Sequence, residues 1–127
     1  MMNILVVDDE TDIKPLFELR FRHEIRSGEH LFTFVFSGED ALAYLHQHPT
    51  EPVVVLSDIN MPGMSGLELL RRIRASHELP ATRVLMLTAN ADDASRQQAR
   101  YDGAEDLLAK PVDFAALKHK LRLEPAA

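Results

Sequence analysis

Five short apolar runs, mostly rich in β-forming residues, punctuate the chain at 4–7, 31–36, 53–57, 83–88 and 107–109. The first, third and fourth show little polar alternation, which is the pattern of strands covered on both faces. Between the runs, apolar residues recur at helical spacing. The first such stretch places Ile13, Leu16, Phe17, Phe21 and Ile25 on one face, with Pro15 in the opening turn, where a missing N–H is tolerated. The second starts at Gly38, carries Ala41, Leu42 and Leu45, and is closed by Pro49 and Pro52. The third begins at Ser65 and carries Leu67, Leu70 and Ile73. Asp92 or Asp93 caps a fourth, which stops near Gly103, and Asp113 caps a fifth with Phe114, Leu117 and Leu121 facing inward. Strand and helix alternate throughout, which argues for a parallel sheet with helices on both faces and right-handed crossovers. The predicted fold is a doubly wound α/β domain of (βα)5 type. The pattern alone leaves the strand order open.

In open sheets of this kind, functional residues collect at the carboxyl ends of the strands. The residues leaving the predicted strands form an unusual set. Asp8-Asp9-Glu10 follows the first, Asp58 and then Ile59-Asn60-Met61-Pro62-Gly63 the third, Thr88-Ala89-Asn90 the fourth, and Lys110-Pro111 the fifth. Each has an ordinary explanation alone, since an Asp after a strand usually caps a helix or closes a turn. Together they converge on one edge of the sheet. Three carboxylates crowded there repel one another and raise their pKa values unless a cation compensates them. A hard divalent ion with oxygen ligands does so, and Mg²⁺ fits best because it takes carboxylates, waters and phosphate oxygens. A metal, an ammonium and a hydroxyl around one carboxylate are what phosphoryl transfer requires, with Asp58 as the nucleophile.

Composition narrows the choice by exclusion. With 127 residues, 46% apolar and 27% charged, the chain has the size and usage of one folded domain. Twenty acidic against 14 basic side chains give a net charge of -6, which argues against direct nucleic-acid binding. The absence of cysteine excludes disulfides and thiolate chemistry. No apolar run approaches the roughly 18 residues of a membrane span, no signal-peptide pattern precedes the first strand, and a cytoplasmic protein is expected.

The same residues make the chain resemble the receiver domain of two-component response regulators. The motifs that carry the resemblance are Asp8-Asp9, Asp58 within Ser-Asp-Ile-Asn-Met-Pro-Gly-Met-Ser-Gly, Thr88-Ala89 and Lys110-Pro111. The resemblance runs from about Asn3 to Leu123 and implies a receiver domain over 1–123, with 124–127 a tail or the start of a linker. It implies a flavodoxin-like sheet of order 2-1-3-4-5, and a signalling switch in place of an enzyme. Asp58 then accepts a phosphoryl group from a histidine kinase or phosphotransfer protein. Asp9, Asp58 and the main-chain carbonyl of Asn60 bind Mg²⁺, with Asp8 acting largely through a bound water. Thr88 and Lys110 each meet a phosphoryl oxygen, the Lys110–Pro111 bond is cis, and Gly63 and Gly66 shape the loop after Asp58.

One position departs from the family pattern. Receivers often carry Tyr or Phe three residues before the lysine, as a ring that turns inward on activation, and here that residue is Leu107, which reads as a leucine that simply packs. The residues two after the acceptor and two after the threonine, which influence acyl-phosphate hydrolysis in the family, are Asn60 and Asn90 and carry no charge. The face of the fourth helix, fifth strand and fifth helix is the expected surface for a homodimer or an output domain, with Arg96, Arg100, Leu107, Lys118 and Arg122. The stretch 21–30 makes the first helix and its exit long for the family, as expected of the lead receiver of a multidomain signalling protein.

Two alternative readings fit these residues less well. A hydrolase of haloacid dehalogenase type needs Asp-x-Asp after the first strand, where this chain has Asp8-Asp9-Glu10. A degenerate receiver acting only as an interaction module is disfavoured by the intact Asp8, Asp9, Asp58, Thr88 and Lys110. Arg71, Arg72 and Arg74 read as the wet face of a helix, His46 and His48 as solvated surface, and Tyr101 as a packed residue.

Overall fold

In a computed structural model, residues 2–28, 30–79 and 82–121 are described. The expected Arg122 and the tail 124–127 lie outside them. Five parallel strands, β1 (Met2–Val7), β2 (His30–Val35), β3 (Val53–Asp58), β4 (Arg83–Thr88) and β5 (Asp106–Ala109), form one sheet in the order β2-β1-β3-β4-β5. This is the flavodoxin-like order, and the chain reverses its direction of winding between β1 and β3.

Side chains alternate across each strand and so supply two cores. Leu5, Val7, Val53, Val55, Val84 and Met86 face one way. They pack under α3 (Gly38–Gln47), α4 (Gly66–Ala75) and α5 (Asp93–Tyr101), through Ala41, Leu45, Leu69, Leu70, Ile73 and Ala99. Ile4, Val6, Val54, Leu56 and Leu85 face the other way, toward α1 (Ile13–Arg20), α2 (Arg22–Arg26) and α6 (Phe114–Leu121). The central strands β1 and β3 are buried along nearly their whole length, as their unbroken apolar runs require. Among the described residues, no helix is long and apolar enough to cross a membrane.

The helix starts follow local chemistry. Ser37, Ser65, Asp92 and Asp113 each accept a hydrogen bond from the N–H three residues on, which satisfies one of the free donors of the first turn. Of the two candidates at the fourth predicted helix, Asp92 is the cap. Gly103, at φ 104, ends that helix.

The first predicted helix is two. Phe21, at φ -107 and ψ 21, separates α1 from α2, and this break turns the second piece about its axis. Ile25 (36%) is therefore exposed and Glu24 is buried in its stead, with its carboxylate 3.3 Å from Lys118 Nζ on α6; Leu16 (41%), on α1 ahead of the break, is exposed as well, where the inward residue is Phe17. The break follows from ring packing. Phe21 meets Phe32 at 4.7 Å, Phe17 at 5.6 Å and Phe114 at 5.8 Å between centroids.

Two further expectations are corrected. Tyr101 is 88% exposed because the buried position of α5 is Ala99, and two residues further lie about 200° around the helix. Arg74 is not simply a wet-face residue: its guanidinium donates to Thr82 O at 2.6 Å and Gly103 O at 3.0 Å, and burial holds its pKa below the usual arginine value. Arg71 and Arg72 are exposed and pair with Asp102 and Glu68.

Candidate functional site

The carboxyl ends of β1, β3, β4 and β5 meet at the reversal of winding, where a crevice forms in folds of this topology. Asp8 follows β1, Asp58 ends β3, Thr88 ends β4 and Lys110 follows β5. One carboxylate oxygen from each of Asp8, Asp9 and Asp58 lies within 4.8 Å of the others; Asp8 and Asp58 are buried and Asp9 is exposed. Lys110 Nζ stands between two of them, 2.8 Å from Asp8 Oδ2 and 3.3 Å from Asp58 Oδ2. The other Asp8 oxygen accepts the Glu10 N–H at 2.9 Å. The Lys110–Pro111 peptide is cis.

Neighbouring backbone fixes these side chains. Ile59 N–H donates to Leu87 O at 3.0 Å and Lys110 N–H to Thr88 O at 2.8 Å, so the ladder continues past the strand ends. The loop 59–65 folds back on Asp58: Gly66 N–H donates to Ile59 O at 2.8 Å, and a Cβ at Gly66 would collide with the Asp58 carbonyl oxygen. Only glycine permits that approach. Gly63, at φ 74, makes the turn that leads there. Both glycines thus hold the places expected of them.

The electrostatics are those of a crowded acidic site. Burial raises the Asp58 pKa above the ordinary carboxylate value, Lys110 opposes the rise, and the Asp8 charge adds to it, with a net upward shift. Burial disfavours the Lys110 ammonium, but its hydrogen bond to Asp8 and the charges of Asp58 and Asp8 outweigh this, and its pKa is raised. Three carboxylates face one ammonium, an excess of two negative charges. That excess, and an all-oxygen donor set of this spacing, fit one hard divalent cation.

Beside Thr88 lies an open cavity of about 320 Å³, lined by Ile59, Asn60, Leu67, Asn90, Ser95 and Gln98 among others. The Asn60 N–H bonds the Asp58 carboxylate, and Thr88 Oγ1 accepts the Asn90 N–H at 3.2 Å. Sequence reasoning did not find Ser95 and Gln98 here, because their proximity to Thr88 comes from the docking of α5. Leu107 is wholly buried against the α3–α4–α5 core, so it is no part of the surface on which it was expected.

The sequence profile of the response regulator receiver domain matches residues 4–122. The chain belongs to that family. This receiver is 38% identical over 125 residues to the virulence sensor protein BvgS of Bordetella bronchiseptica, covering 94% of this chain and 10% of BvgS. It is 36% identical over 122 residues to the response regulator RppA of Synechocystis, covering 95% of this chain and 49% of RppA. The receiver thus spans half or less of these relatives. Among solved structures it is similar to the Vibrio cholerae chemotaxis protein CheY4, with a TM-score of 0.80, 27% identity, and coverage of 97% and 98% of the two chains. It is also similar to the receiver domain of DrrB in its BeF3-activated form, with a TM-score of 0.77, 29% identity, and 97% of each chain covered.

Proposed function

We propose that this receiver takes up a phosphoryl group on Asp58 from a phosphohistidine donor, a histidine kinase or a phosphotransfer protein, in the presence of Mg²⁺. The observation that carries the reading is the excess of two negative charges around a buried acceptor carboxylate with a lysine already at its side. Asp8, Asp9, Asp58 and the Asn60 main-chain carbonyl would hold the ion. When bound, Mg²⁺ supplies positive charge that offsets the carboxylates and the incoming phosphoryl oxygens.

The chain's own groups do the rest. An Asp58 carboxylate oxygen attacks phosphorus; the O–P bond forms as the N–P bond of the donor imidazole breaks, and the leaving nitrogen keeps the electron pair, the imidazole departing neutral because its other ring nitrogen already carries a proton. Lys110 keeps its ammonium at every relevant pH, because its pKa is raised. It turns from Asp8 and Asp58 to a phosphoryl oxygen, and Thr88 donates its hydroxyl to another. In-line positioning and charge neutralisation account for catalysis of such transfers, so no further acid or base is required. The outcome is a switch of interaction surface, which we assign to α5, β5 and α6, in a cytoplasmic phosphorelay.

Incubation with acetyl phosphate and Mg²⁺ tests the acceptor. A single phosphoryl mass addition is expected, lost with EDTA and absent in Asp58→Asn. Undiminished labelling of that variant would move the acceptor elsewhere.

A further inference from the structure

The loop 59–65 is gripped from a second side, by the start of α3. Met64 N–H donates to Glu39 Oε1 at 3.2 Å, across 25 residues of sequence. Gly38 seats the Met64 side chain, whose Sδ would stand 2.9 Å from a Cβ at that position. Gly63 brings the loop close enough that its own Cβ would lie 3.6 Å from Glu39 Oε2. Glu39 sits in the first turn of α3, which the Ser37 cap fixes through Asp40 N–H. An acid in a first turn has an ordinary role against the helix dipole, but that role does not aim its carboxylate at another loop. Glu39 is not one of the three clustered carboxylates.

We propose that Glu39 is a positioning residue for the phosphoacceptor site: by accepting the Met64 N–H it holds the loop that carries Asn60 beside Asp58. The proposal rests on the reading of Asp58 as a metal-assisted acceptor. The hydrogen bond that the Glu39 side-chain oxygen accepts limits how far the loop swings away from Asp58. Gly66 anchors the far end of the same loop, so the loss of Glu39 loosens the ion's surroundings and leaves the fold in place.

The test compares Glu39→Ala and Glu39→Gln with the wild type by Mg²⁺ calorimetry, amide exchange at Met64 and acetyl phosphate labelling. Partners that directly hold a metal ligand are worth about 10–100-fold in affinity, and Glu39 acts one step further out. In Glu39→Ala, Mg²⁺ binding should weaken about threefold to tenfold. Exchange at Met64 should accelerate, and labelling should slow at low Mg²⁺ and recover at saturation. Glu39→Gln keeps an acceptor oxygen and should stay within about twofold of the wild type. Unchanged Mg²⁺ affinity in Glu39→Ala overturns the proposal. Equal losses in both variants would assign the effect to charge alone, and overturn it too. A wild type that neither binds Mg²⁺ nor labels at Asp58 would overturn the acceptor reading itself, and this role with it.

Discussion

At the scale of single residues, the surroundings of Asp58 disfavour its charged form. Burial, with the Asp8 charge, raises its pKa, and Lys110 only partly opposes the rise. A carboxyl whose pKa is raised by folding contributes stability that is fully present below its unfolded value and lost as pH rises through the folded one. At neutral pH and without metal, the ionised Asp58 therefore weighs against the fold. Asp58→Asn should raise the Tm in EDTA at pH 7, and the gain should shrink as pH falls toward the ordinary carboxylate value. Mg²⁺ should raise the Tm of the wild type more than that of the variant. An unchanged or lowered Tm for Asp58→Asn at pH 7 would contradict the cost assigned here. Asp8, Asp9, Asp58, Thr88 and Lys110 were legible in sequence because each leaves a strand, and strand ends converge by topology. The contact of Glu39 with Met64 was not legible: an acid in a first helical turn looks the same whether or not its carboxylate reaches another loop.

At the scale of elements, Asp106 joins α5, β5 and α6. It is buried at the start of β5, accepting from Lys120 Nζ at 2.8 Å, Leu107 N–H at 2.8 Å and Arg100 Nη2 at 3.4 Å. Burial tends to raise its pKa, but the bonds from Lys120 and Leu107 and the charges of Lys120 and Arg100 prevail, and the net shift is downward. A depressed carboxyl contributes stability above its unfolded pKa and loses it as pH falls through the folded value. Asp106→Asn should therefore cost about 1–2 kcal/mol at pH 7 by urea unfolding, its cationic partners being partly exposed to screening solvent. The difference from wild type should close in acid; a constant difference from pH 7 down to pH 3 would count against an ionic role. Element existence and order of appearance were legible from periodicity, and the Asp92 and Asp113 caps from their residue type. The break at Phe21 was not, because Phe21 fits the helical spacing of its stretch and is displaced by rings on β2 and α6 that no local window contains. Asp106 was passed over for the same reason: its partners sit six residues back and fourteen ahead.

At the scale of the whole molecule, acceptance of a phosphoryl group and its report to a partner rest on different parts. The proposed chemistry draws on the five residues at the strand ends of β1, β3, β4 and β5. The report cannot use a ring that swings inward, since Leu107 is an aliphatic side chain already wholly buried in the core under α3, α4 and α5. What adjoins Thr88 is open space, the cavity bounded by Ser95 and Gln98 on the first turns of α5. In the proposed switch, a threonine drawn toward the phosphoryl group would act on the β4–α5 connection and on α5, whose outer side carries the exposed Tyr101 and Arg100. Lys118 on α6 is drawn to Glu24 on α2. If α5 is the moving part, the phosphoryl mimic beryllofluoride with Mg²⁺ should shift the protein toward a dimer in sedimentation velocity. Asp58→Asn should stay monomeric under the same conditions. Tyr101→Ser, which removes the largest exposed apolar group of α5 without touching the acceptor, should weaken the dimer while acetyl phosphate labelling continues unchanged. A monomer in both states would rule out self-association through this face and leave it to an output domain or another protein. A dimer that ignores Tyr101→Ser would place the contact on a different surface.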